Sequence, residues 1–407
     1  MIGEDALKSA EGQRIFRVYL VLTILQQCRQ SLAFSFIFIY ITIFLSEFEL
    51  GIMLGVIALT TALMDYPTGA LADLLGARTI MAFAYTGFAL GWLLYVVADS
   101  FPLFILIAII WGFSGAQASG TGLAWFFNSY NMIGVPPTRV RERYANVATV
   151  SQIATAVILF TGGAIATLIS PQVTFLVGFV TSIITIVFSL IFLKYNNEKV
   201  KEKEKTPGKD KIRNYFTRLG KGVRISFTSR SVVLIFLIAS IILIADNLLK
   251  ISLQLDVKRL GMAMAFSSNS IFFILASFYP ISVIIQAIGY YLSGKISQNQ
   301  SEKLLMGISF VFTSFLFILM FLSQEFGLNY ALWLFLGVVG IYYLQITLYY
   351  TNTASLLNSN IPNEHRTSII SLQTTIVTLV QAVAFVGIGI LLEIITTQIY
   401  LVGAFIA

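Results

Sequence analysis

Apolar stretches of about 20 residues or more recur from residue 17 to near the end of this chain, and that recurrence constrains its fold more than any other feature. They are residues 17–45, 50–72, 79–97, 102–128, 144–169, 172–193, 231–255, 270–293, 304–322, 329–356 and 367–392. In hydrocarbon, backbone polar groups must be satisfied internally, which an isolated helix does and an open strand does not. Each stretch is therefore expected to be a membrane-spanning helix. Strands of alternating polarity about ten residues long, the mark of a spanning barrel, are absent from the sequence. Composition agrees. Only 11% of residues are charged and 57% are hydrophobic, where a soluble domain carries about 25% charged residues. A soluble enzyme, a disordered chain and a nucleic-acid-binding domain are excluded.

The net charge of +7 comes from an asymmetric placement of the 26 Lys and Arg. With the N-terminus inside, the inner side holds all but four. Lys258 and Arg259 fall outside, and Arg29 and Lys250 fall within spans. Setting aside the long central loop, the inner side still leads by ten to two. The positive-inside rule then places the N-terminus in the cytoplasm. No apolar leader core precedes the first span, so no cleaved signal peptide is expected. One Cys (Cys28) and one His (His365) leave no basis for a disulfide framework or a His/Cys metal site.

Residues 195–230 are the one long polar connection. They read as a flexible linker followed by an amphipathic helix with Ile212, Tyr215, Phe216, Leu219 and Val223 on one face. The expected organisation is a six-helix bundle over 1–194, a cytoplasmic linker over 195–230 and a second bundle over 231–407. A shift of 225 residues relates the halves: Gly69, Asp73, Gly76 and Arg78 map onto Gly294, Gln298, Ser301 and Lys303, and Arg141 onto Arg366. Duplicated halves with a site between them near the midplane are the mark of secondary transporters. The same register places a twelfth helix at 397–419, so the sequence is expected to stop inside it.

The run Asp65-Tyr66-Pro67-Thr68-Gly69-Ala70-Leu71-Ala72-Asp73-Leu74-Leu75-Gly76-Ala77-Arg78 resembles the signature loop of the major facilitator superfamily. Its acidic-x-Pro-Thr-Gly opening, the run Ser119-Gly120-Thr121-Gly122-Leu123-Ala124-Trp125 and the run Ile361-Pro362-Asn363-Glu364-His365-Arg366-Thr367 resemble one branch of drug and small-molecule exporters. Against that branch, Leu74 and Ala77 stand at basic positions, Leu123 and Asn128 at acidic ones, and Gly162-Gly163 lacks the Gly-Pro of the antiporter motif. The resemblance implies an all-α membrane protein of the major facilitator fold, with two pseudo-symmetric six-helix bundles. It implies alternating-access transport of a small organic molecule, as proton-coupled export, without a cofactor. The expected setting is the plasma membrane, and the expected partners are substrate, protons and lipid, in a monomer. Uptake or facilitated diffusion of a nutrient is the competing transport reading. A transport-incompetent receptor or scaffold is the competitor from another class.

Charges inside spans are costly and mark pathways by default. Arg29 lies about 18 Å along its helix from Arg17, near mid-bilayer. Gln26 and Gln30 lie on much the same face. Asp246 either neutralises Arg29 or pairs with Lys250 four residues on. Facing the cavity, it is the proton carrier. Gln152, Gln345 and Gln373 are buried amides that complete the expected pathway set. At the inner face, Asp65, Gly69, Asp73, Gly76, Arg78, Arg141 and Arg143 form an expected gating latch, with Glu364 and Arg366 doing the same in the second half. No catalytic residue is expected.

Overall fold

The computed structural model describes residues 7, 9–193, 228–296, 300–325, 328–360, 366–395 and 398–406. The expected amphipathic helix after residue 211 lies outside them. All regular structure among the described residues is helical. In chain order the helices are α1 (Ala10–Ser31), α2 (Ile37–Ile41), α3 (Glu47–Val97), α4 (Phe101–Ala118), α5 (Thr121–Met132), α6 (Pro137–Leu168) and α7 (Pro171–Phe192). They continue as α8 (Arg230–Ala263), α9 (Ser268–Ile296), α10 (Glu302–Glu325), α11 (Leu328–Asn360), α12 (Arg366–Ile394) and α13 (Ile399–Ile406). Ten segments among them are long and apolar enough to cross a membrane. Large apolar side chains stay exposed, among them Phe83, Val157, Val311 and Val383. In water this would invite aggregation; against lipid it is the fitting surface.

Local signals set the helix ends. The Ser9 hydroxyl accepts from the Gly12 amide at 3.0 Å to open α1. Ser170 caps α7, with Pro171 at its first position. Gly76, at φ 79°, bends α3 between two spans, a left-handed conformation that favours glycine.

The chain divides into two compact units, one of residues 1–35 and 59–206, the other of residues 36–58 and 207–407. In the first, α1 packs on α5, α6 and α7, and its core holds Leu22, Met81, Tyr85, Phe88, Phe126 and Tyr130. A second aromatic cluster joins Trp92, Trp111, Tyr95 and Phe175, with Trp92 and Trp111 centroids 4.9 Å apart. Gly91 and Gly178 make room for those rings, since a Cβ on either would strike Trp111 or Trp92. In the second unit, α11 contacts α8, α9 and α10, while α12 lies on α8 and α13 on α10. There a Cβ on Gly51 would stand 2.6 Å from the Phe385 carbonyl oxygen and 2.9 Å from Gly389 Cα, so the first turns of α3 cross α12 backbone to backbone.

Three spans depart from the sequence expectation. The first is not one helix over 17–45: it breaks at Leu32–Phe36 and resumes as the single turn of α2. No Pro or Gly lies there. Tertiary contacts hold the break instead. The buried Gln254 side chain accepts from the Phe38 amide at 2.9 Å, and Gly162 of α6 brings its backbone against the Leu32 carbonyl. Gly162→Ala should therefore drive a methyl into that carbonyl. Overpacking costs about 1–3 kcal/mol in general, and rigid backbone on both sides sets the upper end here. The expected outcome is a lower melting temperature and folded yield in detergent.

The fourth span breaks at Ser119 (ψ 125°) and Gly120 (φ 69°) into α4 and α5. The seventh runs to Ala263 rather than 255, so Asp256, Lys258 and Arg259 belong to helix α8 and not to an outer loop. In the 225-residue register the two breaks fall opposite uninterrupted stretches of α8 and α11, so the halves differ in continuity.

Candidate transport site

Unit one presents Arg29 in the last turn of α1. Its guanidinium lies over the Phe88 ring, 4.2 Å from the centroid, a cation–π contact that strengthens as water is excluded. The Tyr85 hydroxyl is beside it, yet neither that hydroxyl nor Arg29 Nε makes a well-formed hydrogen bond. No carboxylate among the described residues of its own unit pairs with it. Gln26 stands next to Gly122 of α5, where the missing side chain lets α1 and α5 approach. Gln30 and Gln152 are exposed. Gln27, which sequence reasoning passed over, donates to the Ser151 hydroxyl at 2.9 Å and ties α1 to α6. Cys28 is a free, half-buried thiol.

Asp65 in α3 is half-buried and hydrogen-bonds the Ser119 side chain at the break between α4 and α5. That places a carboxylate beside the start of α5, where unpaired amides and the helix dipole favour negative charge. Arg78 is exposed, and Arg143 lies over the Phe16 ring at 5.2 Å. Glu364, and the side-chain positions at Gly69, Asp73, Arg141 and Arg366, lie outside the described residues. Gly76 has open space around it, so its backbone angle rather than its packing calls for glycine.

Among the described residues, unit two carries a polar constellation around one carboxylate. Asp246 of α8 is buried among apolar neighbours. Its Oδ2 pairs with Lys250 Nζ at 2.5 Å and accepts from Tyr350 at 3.2 Å. Its Oδ1 accepts from Tyr342 at 3.3 Å. Of the two partners that spacing left open, Lys250 is thus the one found within the unit. The Asp246 side chain is 4% exposed and that of Lys250 36%, so the pair is open at its Lys250 end. A proton arriving at Asp246 would cancel the charge that holds Lys250 and free that side chain.

The other amides divide. Gln345 is fully engaged in packing: its Nε2 donates to Ser309 O at 2.9 Å and its Oε1 accepts from Thr313 at 3.1 Å, both on α10. Gln373 of α12 is half-buried. Gln254 is the counterpart of Arg29 in the 225-residue register. It is wholly buried and also donates to Tyr279 at 3.4 Å. A second buried carboxylate, Asp256, pairs with Arg259 at 2.8 Å and accepts from Tyr400 at 2.5 Å, while Arg259 also reaches Gln324. Sequence reasoning missed that cluster, although its Asp-x-x-Arg spacing was legible once α8 was extended by two turns. No group of three or more His, Cys, Asp or Glu among the described residues is placed to hold a metal ion.

Bundles of membrane-length helices, with polar groups confined to a few inward positions, define a polytopic α-helical membrane protein. The family model described as Major Facilitator Superfamily matches residues 19–385, and the chain belongs to that superfamily. It is an integral, multi-pass membrane transporter of the secondary type and not an enzyme. No curated protein sequence matches it significantly. Among solved structures it resembles a mutant of the nucleoside transporter NupG, with TM-score 0.78 and 14% identity over 96% of both chains. It resembles a bacterial homolog of the human lysosomal transporter Spinster, in an inward-facing and unoccupied conformation, with TM-score 0.67 and 13% identity over 98% of both chains. It also resembles a D-xylose–proton symporter, with TM-score 0.67 and 12% identity over 97% of both chains.

Proposed function

We propose that this transporter moves a small organic molecule outward in exchange for protons, by alternating access. The observation that carries the proton part is Asp246, a nearly sealed carboxylate shared by Lys250, Tyr342 and Tyr350. Its two charge states hold Lys250 differently, and a group can bias a conformational equilibrium only through such a difference between states. Arg29, with Gln26 and Gln30 on the same helix, supplies the polar side of the pathway in the first unit, and Gln373 contributes in the second. Gln152 is exposed, and Gln345 serves packing. Outward direction rests on the resemblance of Asp65–Gly69, Ser119–Trp125 and Ile361–Thr367 to the exporter branch. At the inner side of the first half the Asp65–Ser119 contact, with Gly69, Asp73, Gly76, Arg78, Arg141 and Arg143, forms a latch that each rocking cycle opens and closes, and Glu364 and Arg366 do the same in the second half.

Proton-coupled uptake is the second reading, favoured by the likeness to a protein named as a proton symporter. Proteoliposome flux with an imposed pH gradient tests both. Coupling predicts substrate accumulation that vanishes when a protonophore collapses the gradient. The sign of accumulation relative to the acidic side separates export by exchange from symport. Accumulation indifferent to the gradient would remove the proton from the proposal.

A further inference from the structure

The end of α8 farthest from Arg230 forms a pocket the transport reading does not use. It lies wholly within unit two, holds about 270 Å3, and is lined by Glu47, Asp256, Lys258 and Arg259 over an apolar surface of Leu255, Met262 and Leu392. Two of its four charges are already satisfied. Asp256 is held by Arg259 and Tyr400, and Arg259 in turn by Gln324, so one wall is braced across α8, α10 and α13. The other two, Glu47 and Lys258, make no ion pair or hydrogen bond through their side chains among the described residues. They line one small cavity with opposite signs and form no ion pair with each other.

We propose that this pocket binds a small zwitterion, an α-amino acid with an apolar side chain. The ammonium group of such a ligand meets Glu47. Its carboxylate meets Lys258, with the free edge of the Arg259 guanidinium beside it. The side chain lies on Leu255, Met262 and Leu392, where burial of apolar surface adds to binding. A cavity just under the range of drug-sized pockets admits a ligand of that size and little more. A simple anion would leave Glu47 unpaired next to it, and a simple cation would leave Lys258 so. The inference stands apart from the transported substrate and from proton coupling.

The test is equilibrium binding of radiolabelled L-leucine to the full chain in lipid nanodiscs, with 3-methylbutylamine and 4-methylpentanoate as the two half-ligands. Leucine is expected to bind saturably, with each half-ligand at least about tenfold weaker, as loss of one charge-assisted contact implies. Glu47→Gln and Lys258→Met should each weaken leucine binding by a similar factor, while Lys258→Arg restores it. Monodisperse elution of every variant separates lost binding from lost fold. Half-ligands equal to leucine, variants without effect, or no saturable leucine binding would each overturn the site.

Discussion

Asp246→Asn should reduce gradient-driven accumulation to the level of protein-free vesicles while substrate exchange at equal pH continues. The carboxamide keeps the size of the side chain, and its oxygen still accepts from Tyr342 or Tyr350. It holds no exchangeable charge, so a proton gradient has nothing to act on. Lys250 is then left without its counter-charge. Breaking a buried pair from one side costs about 3–5 kcal/mol, and the partial exposure of Lys250 lowers that figure. A second variant separates the two losses. In Asp246→Asn/Lys250→Met the unpaired ammonium is gone, so the melting temperature should recover while coupling stays absent. A coupling defect that recovers together with stability would show that Asp246 only holds the helices. Normal accumulation by Asp246→Asn would remove it from the proton path.

Arg29→Met should move stability and transport in opposite directions. A charge at the centre of a span costs at least about 2.5–3.5 kcal/mol, and among the described residues of the unit the Phe88 face and the Tyr85 hydroxyl beside it are what offset it. Methionine is of similar length, and its sulfur makes a favourable contact with an aromatic ring, about 0.3–1.5 kcal/mol. The variant is therefore expected to melt higher than the wild type and to transport at background rate. Arg29→Lys keeps the charge but loses the planar group that lies on Phe88, so it should transport at least about tenfold more slowly. Fluorescence-detected melting and proteoliposome flux, run on the same preparations, read both quantities. If Arg29→Met melts lower, the guanidinium is a packing strut. If it transports normally, the pathway role is lost.

Sequence reasoning reached the all-helical membrane architecture because bilayer thickness forces one repeated solution. It reached Asp246 and Lys250 because four residues bring two side chains together on any helix. It did not reach the breaks in α1 and between α4 and α5. At Ser31–Phe36 the local sequence favours continuation, and the interruption is written 216 residues away in Gln254. At Gly120 a signal was present in the run of small residues, but the same run also reads as helix packing. Gln345 is ambiguous for a related reason. A buried amide must find partners wherever it sits, and α10 supplied them at Ser309 and Thr313. The Asp256 cluster was hidden because the seventh span was ended just before the run Asp256-Val257-Lys258-Arg259, which reads as an outer loop.

The interrupted first crossing has a consequence for biogenesis. With Glu11, Arg14, Arg17 and Arg29 along it, α1 is not among the segments that qualify as spanning on their own. The run 31–45 that follows carries no charge and is predominantly apolar, so a translocon that partitions nascent segments one at a time is drawn to the distal half of the first crossing rather than to α1. The first crossing is therefore expected to enter by residues 31–45 and to carry Arg29 in behind them, and Arg29→Leu should raise its insertion efficiency in a glycosylation-mapping assay.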